Sequence, residues 1–294
     1  MNRICLNGAI LPESRAKVSA MDRGFLYGDG AYEAVRVYRG RIFRADRHWR
    51  RLSRSLAALR IRVPWNGARL TKLCLATARA NGLADALVRA TITRGKSPLG
   101  YDPRSAKKPT LAIAASPIRN DLPELWRRGV AAAVVKIRRN PPASLDPAVK
   151  HTNSLNGILA KMESLEAGAF EGIFLNLDGF VAEGTISNLF AVRDGRLRTP
   201  SLDSGILDGV TRRAVLEIAR RARIPCREAR MRPEEIFRAD EIFLTSTTME
   251  VMPVVRVGRR RIGPGVPGPV TRSLQTLFRE LVNKELGLGN PARG

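Results

Sequence analysis

Four short stretches carry residue types suited to chemistry on a small substrate. Lys150 lies in Ala148-Val149-Lys150-His151-Thr152-Asn153, between Pro147 and an amphipathic segment. Arginine supplies most of the positive charge, and lysine is rare. A desolvated lysine amine at a loop before a helix is nucleophilic toward an aldehyde. Glu183 lies in Gly179-Phe180-Val181-Ala182-Glu183-Gly184-Thr185-Ile186-Ser187-Asn188, a carboxylate followed by glycine and small polar residues that let a ligand come close. Leu207-Asp208-Gly209-Val210-Thr211-Arg212 opens a helix pattern, and a helix start offers unpaired N–H groups to a phosphate. Thr245-Ser246-Thr247-Thr248 sets four hydroxyls after a strand. Taken singly, each has a bland reading: a surface lysine, a turn glutamate, an ordinary capped helix, a polar turn.

The elements that must position these residues follow from periodicity. Ala31 to Tyr38 and Arg41 to Phe43 read as strands joined by a turn at Arg39-Gly40. Trp49, Leu52, Leu56 and Leu59 recur at helical spacing, with Asp46 as the expected N-cap. A second helix is expected from Ala68 to Ala80, and strands at Leu87 to Thr93 and Thr110 to Ala115. A polar loop, Arg94 to Lys108, separates those two strands. Residues 1–116 are read as a small N-terminal α/β domain, 117–126 as a linker with two prolines, and 127–294 as a larger domain. That larger part holds a strand at Val130 to Ile137 and an apolar stripe of Leu155, Ile158, Leu159, Met162 and Leu165. A hairpin-rich stretch follows, with turns at Asp178-Gly179 and Asp194-Gly195. Helices are expected at Val210 to Arg223 and Pro269 to Lys284, around a strand at Glu241 to Thr245. Helices and strands in mixed order with hairpins indicate an α+β fold, not a doubly wound parallel sheet.

Composition removes several function classes. The chain has 294 residues, 44% hydrophobic and 27% charged, a balance that supports buried cores. No apolar run reaches the roughly 20 residues that cross a bilayer, and no secretory pattern opens the chain, so a cytoplasmic location without membrane contact is expected. Three cysteines and two histidines, widely spaced, give neither a disulfide framework nor a metal site. The net charge of +24 raises the question of nucleic acid. The arginines are scattered, however, and aromatics are only 5% with no spacing for base stacking. The charge therefore reads as a solvated arginine-rich surface, and nucleic acid is not an expected partner. Gly28-Asp29-Gly30 is not a dinucleotide loop, because a strand follows it and the third glycine is missing.

The four stretches join two others in a fixed order: Asp22 to Gly40 (DRGFLYGDGAYEAVRVYRG) and His48 to Leu52 (HWRRL). Over nearly its whole length the sequence resembles the class IV, fold type IV, pyridoxal-phosphate aminotransferases. These include branched-chain aminotransferases, D-amino-acid transaminases and aminodeoxychorismate lyases. The resemblance implies a two-domain fold like that of D-amino-acid aminotransferase, a homodimer, and pyridoxal 5'-phosphate as cofactor. It implies that Lys150 forms the Schiff base and shuttles the proton, and that Glu183 pairs with the pyridine nitrogen. Arg51 then binds the phosphate, with Val210, Thr211 and Thr247. Thr248 and Met249 line the substrate carboxylate side, and Tyr27 and Tyr32 line the substrate pocket.

The loop Thr93 to Arg104 discriminates among subgroups. The D-transaminases carry an arginine and a histidine where this chain has Leu99 and Tyr101, and the lyases favour an arginine at position 99. Leu99-Gly100-Tyr101-Asp102-Pro103-Arg104 is most similar to the loop of prokaryotic branched-chain aminotransferases. Departures remain: Tyr32-Glu33-Ala34-Val35-Arg36 replaces that subgroup's FEGIR, and Ser154 stands where a tyrosine is common. The expected activity is ping-pong transfer of an amino group from an aliphatic, branched-chain amino acid to 2-oxoglutarate. The alternatives are a D-amino-acid transaminase, with Arg36 or Arg94 as carboxylate partner, and aminodeoxychorismate lyase.

Overall fold

The computed structural model describes residues 2–289, which fall into two compact units. One unit comprises 1–118 together with 149–154, the other 119–148 and 155–294.

The first unit is built on an antiparallel six-stranded sheet in the order β2-β1-β6-β5-β3-β4. Its strands are β1 (Arg3–Leu6), β2 (Ala9–Pro12), β3 (Gly30–Tyr38), β4 (Arg41–Ile42), β5 (Ala86–Thr93) and β6 (Thr110–Ser116). Helix α1 spans Arg23–Tyr27, α2 Ala45–Ala58 and α3 Gly67–Ala80. In β3 the inward residues are Ala31, Glu33, Val35 and Val37, and Tyr32, Ala34, Arg36 and Tyr38 take the other face. The two-residue period of a strand produces that division. Trp49, Leu52 and Leu56 of α2 and Leu70, Leu73 and Cys74 of α3 complete the core with Val88, Ile92, Leu111 and Ile113. Burying each large aliphatic side chain here contributes roughly 1.5–3 kcal/mol.

Two local expectations are corrected. Asp46 does not cap α2; the N-cap is Arg44, at φ 50, with no side-chain cap bond. Asp46 lies in the first turn, where its charge meets the positive end of the helix dipole. The β1–β2 hairpin was not anticipated, although Asn7 (φ 51) and Gly8 (φ 96) form the Asn-Gly turn that favours one.

The second unit holds a mixed sheet in the order β12-β11-β10-β13-β14-β7-β8-β9, with β15 added on β14. Its strands are β7 (Val130–Arg138), β8 (Glu171–Leu175), β9 (Val181–Gly184), β10 (Asn188–Arg193), β11 (Arg196–Thr199), β12 (Cys226–Glu228), β13 (Glu241–Ser246), β14 (Glu250–Val257) and β15 (Arg260–Arg261). Its helices are α4 (Leu122–Arg128), α5 (Leu155–Glu166), α6 (Val210–Arg221), α7 (Pro233–Phe237) and α8 (Pro269–Leu286). Helix α5 packs on β7 and β8, while α6 and α8 pack on β13. Strand β8 is therefore buried at every position: Ile173-Phe174-Leu175 is apolar without alternation, and the buried Glu171 carboxylate accepts from Thr185 and Ser187. Sheets of mixed direction with segregated helices make the fold α+β.

Segment 117–126 is not an extended linker. Helix α4 begins inside it, with Pro123 in its first turn and Leu122 and Leu125 buried. The stripe on α5 behaves unlike a core face. Leu155, Ile158, Leu159, Met162 and Leu165 are 40–60% exposed, and the buried residues are Ala160 and Ser164. Among the described residues no helix is long and apolar enough to cross a membrane, and no group of side chains is arranged to hold a metal ion.

Candidate functional site

Lys150 belongs to the first unit, where residues 150–152 run along the start of β3. The Tyr32 N–H donates to the Lys150 carbonyl at 3.0 Å, and the Thr152 N–H to the Gly30 carbonyl at 2.8 Å. The Lys150 N–H donates to Ser55 Oγ on α2 at 3.0 Å. Both backbone polar groups are thus pinned, leaving the side chain as the mobile part. Its Nζ lies 4.5 Å from the centroid of the Tyr32 ring. The Lys150 cation pushes the Tyr32 phenol below its usual value; burial opposes the shift and Arg89 reinforces it.

Arg51 projects from α2 toward the inward face of β3. Its Nε and Nη2 donate to Glu33 Oε1 and Oε2 at 2.7 and 2.9 Å, and His48 Nδ1 lies 2.8 Å from Oε2. Glu33 is fully buried and His48 and Arg51 nearly so. Sequence reading missed Glu33. Its signal was an acid in the inward register of an apolar strand, a placement that requires a buried cation. Burial alone would raise the Glu33 pKa, but Arg51 and His48 bring it down to about 2. Burial also depresses His48, against the pull of Glu33.

This cluster has a pH signature. Unfolded, the Glu33 carboxyl titrates near 4.5; folded, near 2. Its stabilisation is complete above the first value, falls as pH drops between the two, and is gone below the second. At about 1.4 kcal/mol per pH unit, the loss is on the order of 3 kcal/mol. Urea unfolding across that window shows this decline in the wild type. In Glu33→Gln the component is missing, and stability is already low at neutral pH because Arg51 is left buried without its partner.

The remaining candidates of the first unit divide. Arg94 does not face an open pocket. Its Nε and Nη2 hold Asp29 at 2.7 and 3.0 Å, and it also donates to the carbonyls of Leu59 and Arg60. With most of its N–H groups used in this way, the expectation that Arg94 contacts substrate is not supported. Buried Arg23 donates to Asp29 and to the carbonyls of Gly100 and Tyr101, tethering the loop that sequence reading singled out. Tyr27 Oη accepts from the Gly100 N–H at 3.0 Å, and the Tyr27 and Tyr101 rings lie 5.4 Å apart. Tyr101 itself is 85% exposed. Arg36 lies over the Tyr38 ring on the outward face of β3.

In the second unit Glu183 sits on β9, buried. Its Oε2 accepts from Asn188 Nδ2 at 3.1 Å and from the Leu207 N–H at 2.9 Å, and its Oε1 pairs with Arg139 Nη2 at 2.9 Å. Arg139, just beyond β7, carries no sequence signal that points to this role; only the tertiary fold brings it to β9. The same fold sets Gly209 against Asn188. A Cβ at Gly209 would meet Asn188 Oδ1 at 2.1 Å, so a larger residue would push the Asn188 side chain off its bonds to Glu183 and the Leu207 carbonyl. Gly209 is the N-cap of α6 and provides no side-chain cap, so the first N–H groups at Val210 and Thr211 are open to an external acceptor. Thr211 is buried. Thr247, Thr248 and Met249 form the β13–β14 turn. Met249 is buried there, its N–H bonded to Ser246 Oγ and its carbonyl to Trp126 Nε1. Thr245, paired with Asn188 in the sheet, has a buried hydroxyl without a hydrogen-bond partner among the described residues.

Taken by itself, the second unit offers a charge-compensated carboxylate, a helix start free of side-chain caps, and an orphaned buried hydroxyl. These features fit a ligand with a protonated ring nitrogen and a phosphate.

Comparison with known proteins agrees in kind. The family described as amino-transferase class IV matches residues 30–257. The chain is 39% identical over 282 residues to a Methanocaldococcus jannaschii protein named "Putative branched-chain-amino-acid aminotransferase", covering 96% of this chain and 97% of that one. It is 32% identical to D-alanine aminotransferase of Bacillus licheniformis, over 96% and 98% of the two chains. Among solved structures, the branched-chain amino acid aminotransferase of Thermobaculum terrenum in its PLP form superposes with a TM-score of 0.85. That protein is 28% identical, with 98% of this chain and 95% of the other covered.

Proposed function

The chain belongs to the class IV aminotransferases, and from that premise we propose that it transfers the amino group of an aliphatic, branched-chain amino acid to 2-oxoglutarate with pyridoxal 5'-phosphate. The observation that carries this reading is the lysine: Lys150, anchored by its own N–H and carbonyl, holds its amine over the Tyr32 ring. When bound, the cofactor supplies an aldehyde for an amine and a ring that takes up carbanion charge.

The chain's own residues then have separate tasks. Lys150 would hold the aldehyde, and once displaced by substrate its amine would carry the proton from the substrate Cα to the cofactor C4′. Glu183 keeps a proton on the ring nitrogen, with Arg139, Asn188 and the Leu207 N–H fixing its carboxylate in place. Arg51 holds the phosphate along with the N–H groups of Val210 and Thr211 and the turn at Thr247. Glu33 and His48 orient Arg51. Each product leaves before the next substrate enters, so one pocket serves both the aliphatic donor and the acceptor.

Two observations favour a branched-chain donor over a D-amino acid. Arg94 is held by Asp29, and Leu99 and Tyr101 bring no positive charge to the loop. Half-reactions test the choice. L-leucine is expected to bleach the visible band of the bound cofactor while D-alanine leaves it unchanged; bleaching by D-alanine alone overturns the choice.

We also propose a homodimer. Its support is the apolar stripe left exposed on α5, since large contiguous apolar patches on a soluble protein mark contact surfaces. In sedimentation the wild type is expected at twice the chain mass. Ile158→Glu, which puts a charge in the middle of the stripe, is expected to shift the population toward single chains.

A further inference from the structure

The hairpin that turns at Asp194-Gly195 takes no part in the chemistry described above. Its strands set Arg193 of β10 directly opposite Arg196 of β11, and Ala191 opposite Arg198. Residues opposite one another share a face, and each strand changes face with a period of two. Ala191, Arg193, Arg196 and Arg198 therefore lie on one face, and the buried Val192 and Leu197 on the other. The first face borders a cavity of about 330 Å³, whose further lining comes from α7 and its flanks. That volume is within the range of small-molecule sites. Ala191, Met231 and Ala239 are buried and give the cavity an apolar floor. The rest of the lining is charged, with Arg238 joining the three hairpin arginines against Asp194 and Glu235.

We propose that this cavity binds a phosphate monoester with a compact apolar body. Like charges directly opposite on neighbouring strands repel, and the acids here compensate only part of the cluster. Arg193 lies 3.6 Å from Asp194 and 3.3 Å from Asp240, and Arg198 pairs with Glu235. The side chains of Arg196 and Arg238 form no ion pair or hydrogen bond with the described residues. Arg198 Nε is buried and has no hydrogen-bond partner among them. Buried donors of this kind are normally satisfied, so its acceptor comes from outside the chain. Two uncompensated guanidinium groups and one orphaned N–H match an anion of nearly two charges with several acceptor oxygens, which is a phosphate monoester near neutral pH. Arginine also meets phosphate with two parallel N–H groups. A monoester carries its charge at one end and leaves its apolar body for the floor. A dicarboxylate carries charge at both ends and would set one of them against Ala191 and Met231. The cavity is separate from the site around Glu183. Asn188, which bonds Glu183, and Arg193 are the two ends of β10, about 16 Å apart along the strand.

The test titrates phenyl phosphate, inorganic phosphate and succinate into cofactor-loaded enzyme by calorimetry at low ionic strength. Loading with cofactor keeps the probes away from the phosphate residues of the first site. Phenyl phosphate is expected to bind about tenfold more tightly than inorganic phosphate, since only the ester reaches the apolar floor. Succinate should bind more weakly than phenyl phosphate. Arg196→Gln and Arg238→Gln, both at exposed positions, are each expected to weaken phenyl phosphate about tenfold. Their turnover and urea midpoints should stay at wild-type values. Arg79→Gln removes the same charge from an exposed position on α3 and should leave binding unchanged. Equal affinity for phenyl phosphate and inorganic phosphate, or equal weakening by Arg79→Gln and Arg238→Gln, means diffuse surface charge and overturns the proposal. Tighter binding of succinate overturns the choice of a monoester. Absence of binding, or binding that neither hairpin-site variant alters, refutes the cavity as the site.

Discussion

Lys150→Ala is expected to lose transamination by about a thousandfold or more, because one change removes both the attacking amine and the group that moves the Cα proton. The fold should survive. The anchors of this residue are its own N–H and carbonyl, bonded to Ser55 and Tyr32, and alanine keeps both. The side chain is only partly buried, so its truncation opens no large cavity. The result is therefore expected as inactive protein with wild-type urea stability. Borohydride reduction followed by digestion should place a pyridoxyl group on the peptide containing position 150 in the wild type and nowhere in the variant. Turnover left intact by the substitution, or a tag on a different lysine, would refute the assignment.

The second large effect is expected at Glu183, where chemistry and stability are coupled. Glu183→Gln keeps the shape but not the charge, so a proton on the ring nitrogen loses its counter-ion, and activity is expected to fall about 100-fold or more. The same change leaves Arg139 in a mostly buried place without its carboxylate. Removing one partner of a buried ion pair costs about 3–5 kcal/mol. Arg139→Met separates the two contributions. It removes the cation and keeps the Asn188 and Leu207 donors on the Glu183 carboxylate. That variant should lose stability while retaining far more activity than Glu183→Gln. Urea midpoints measured beside initial rates decide; equal rate losses in the two variants would show that Glu183 acts only as a structural partner of Arg139.

The reach of a sequence into a fold depends on what sets each feature. Turns such as Asp194-Gly195 are local. Both residues adopt positive φ, and the hairpin follows from their own conformational preferences. The stripe on α5 was equally visible, but periodicity reports amphipathicity and not what covers the face. Leu155, Ile158 and Met162 are exposed where a core helix would bury them. Arg94 shows the same limit for charge. An arginine in a discriminating loop reads as a substrate contact until the fold brings Asp29 and two carbonyls to it.

The sequence by itself determined the family, the identity of the lysine, carboxylate and arginine candidates, and the α+β order of elements. These depend on residue types in a fixed order and on periods of two and 3.6, which a chain carries before it folds. Only the tertiary structure decided which charges meet. It paired Glu33 with Arg51 and His48, Glu183 with Arg139, and Arg89 with the ring beside Lys150. Such meetings depend on strand register and helix packing between residues distant in the chain. A register slip of one residue would turn Glu33, Arg89 and Glu183, the strand members of these pairs, to the opposite face.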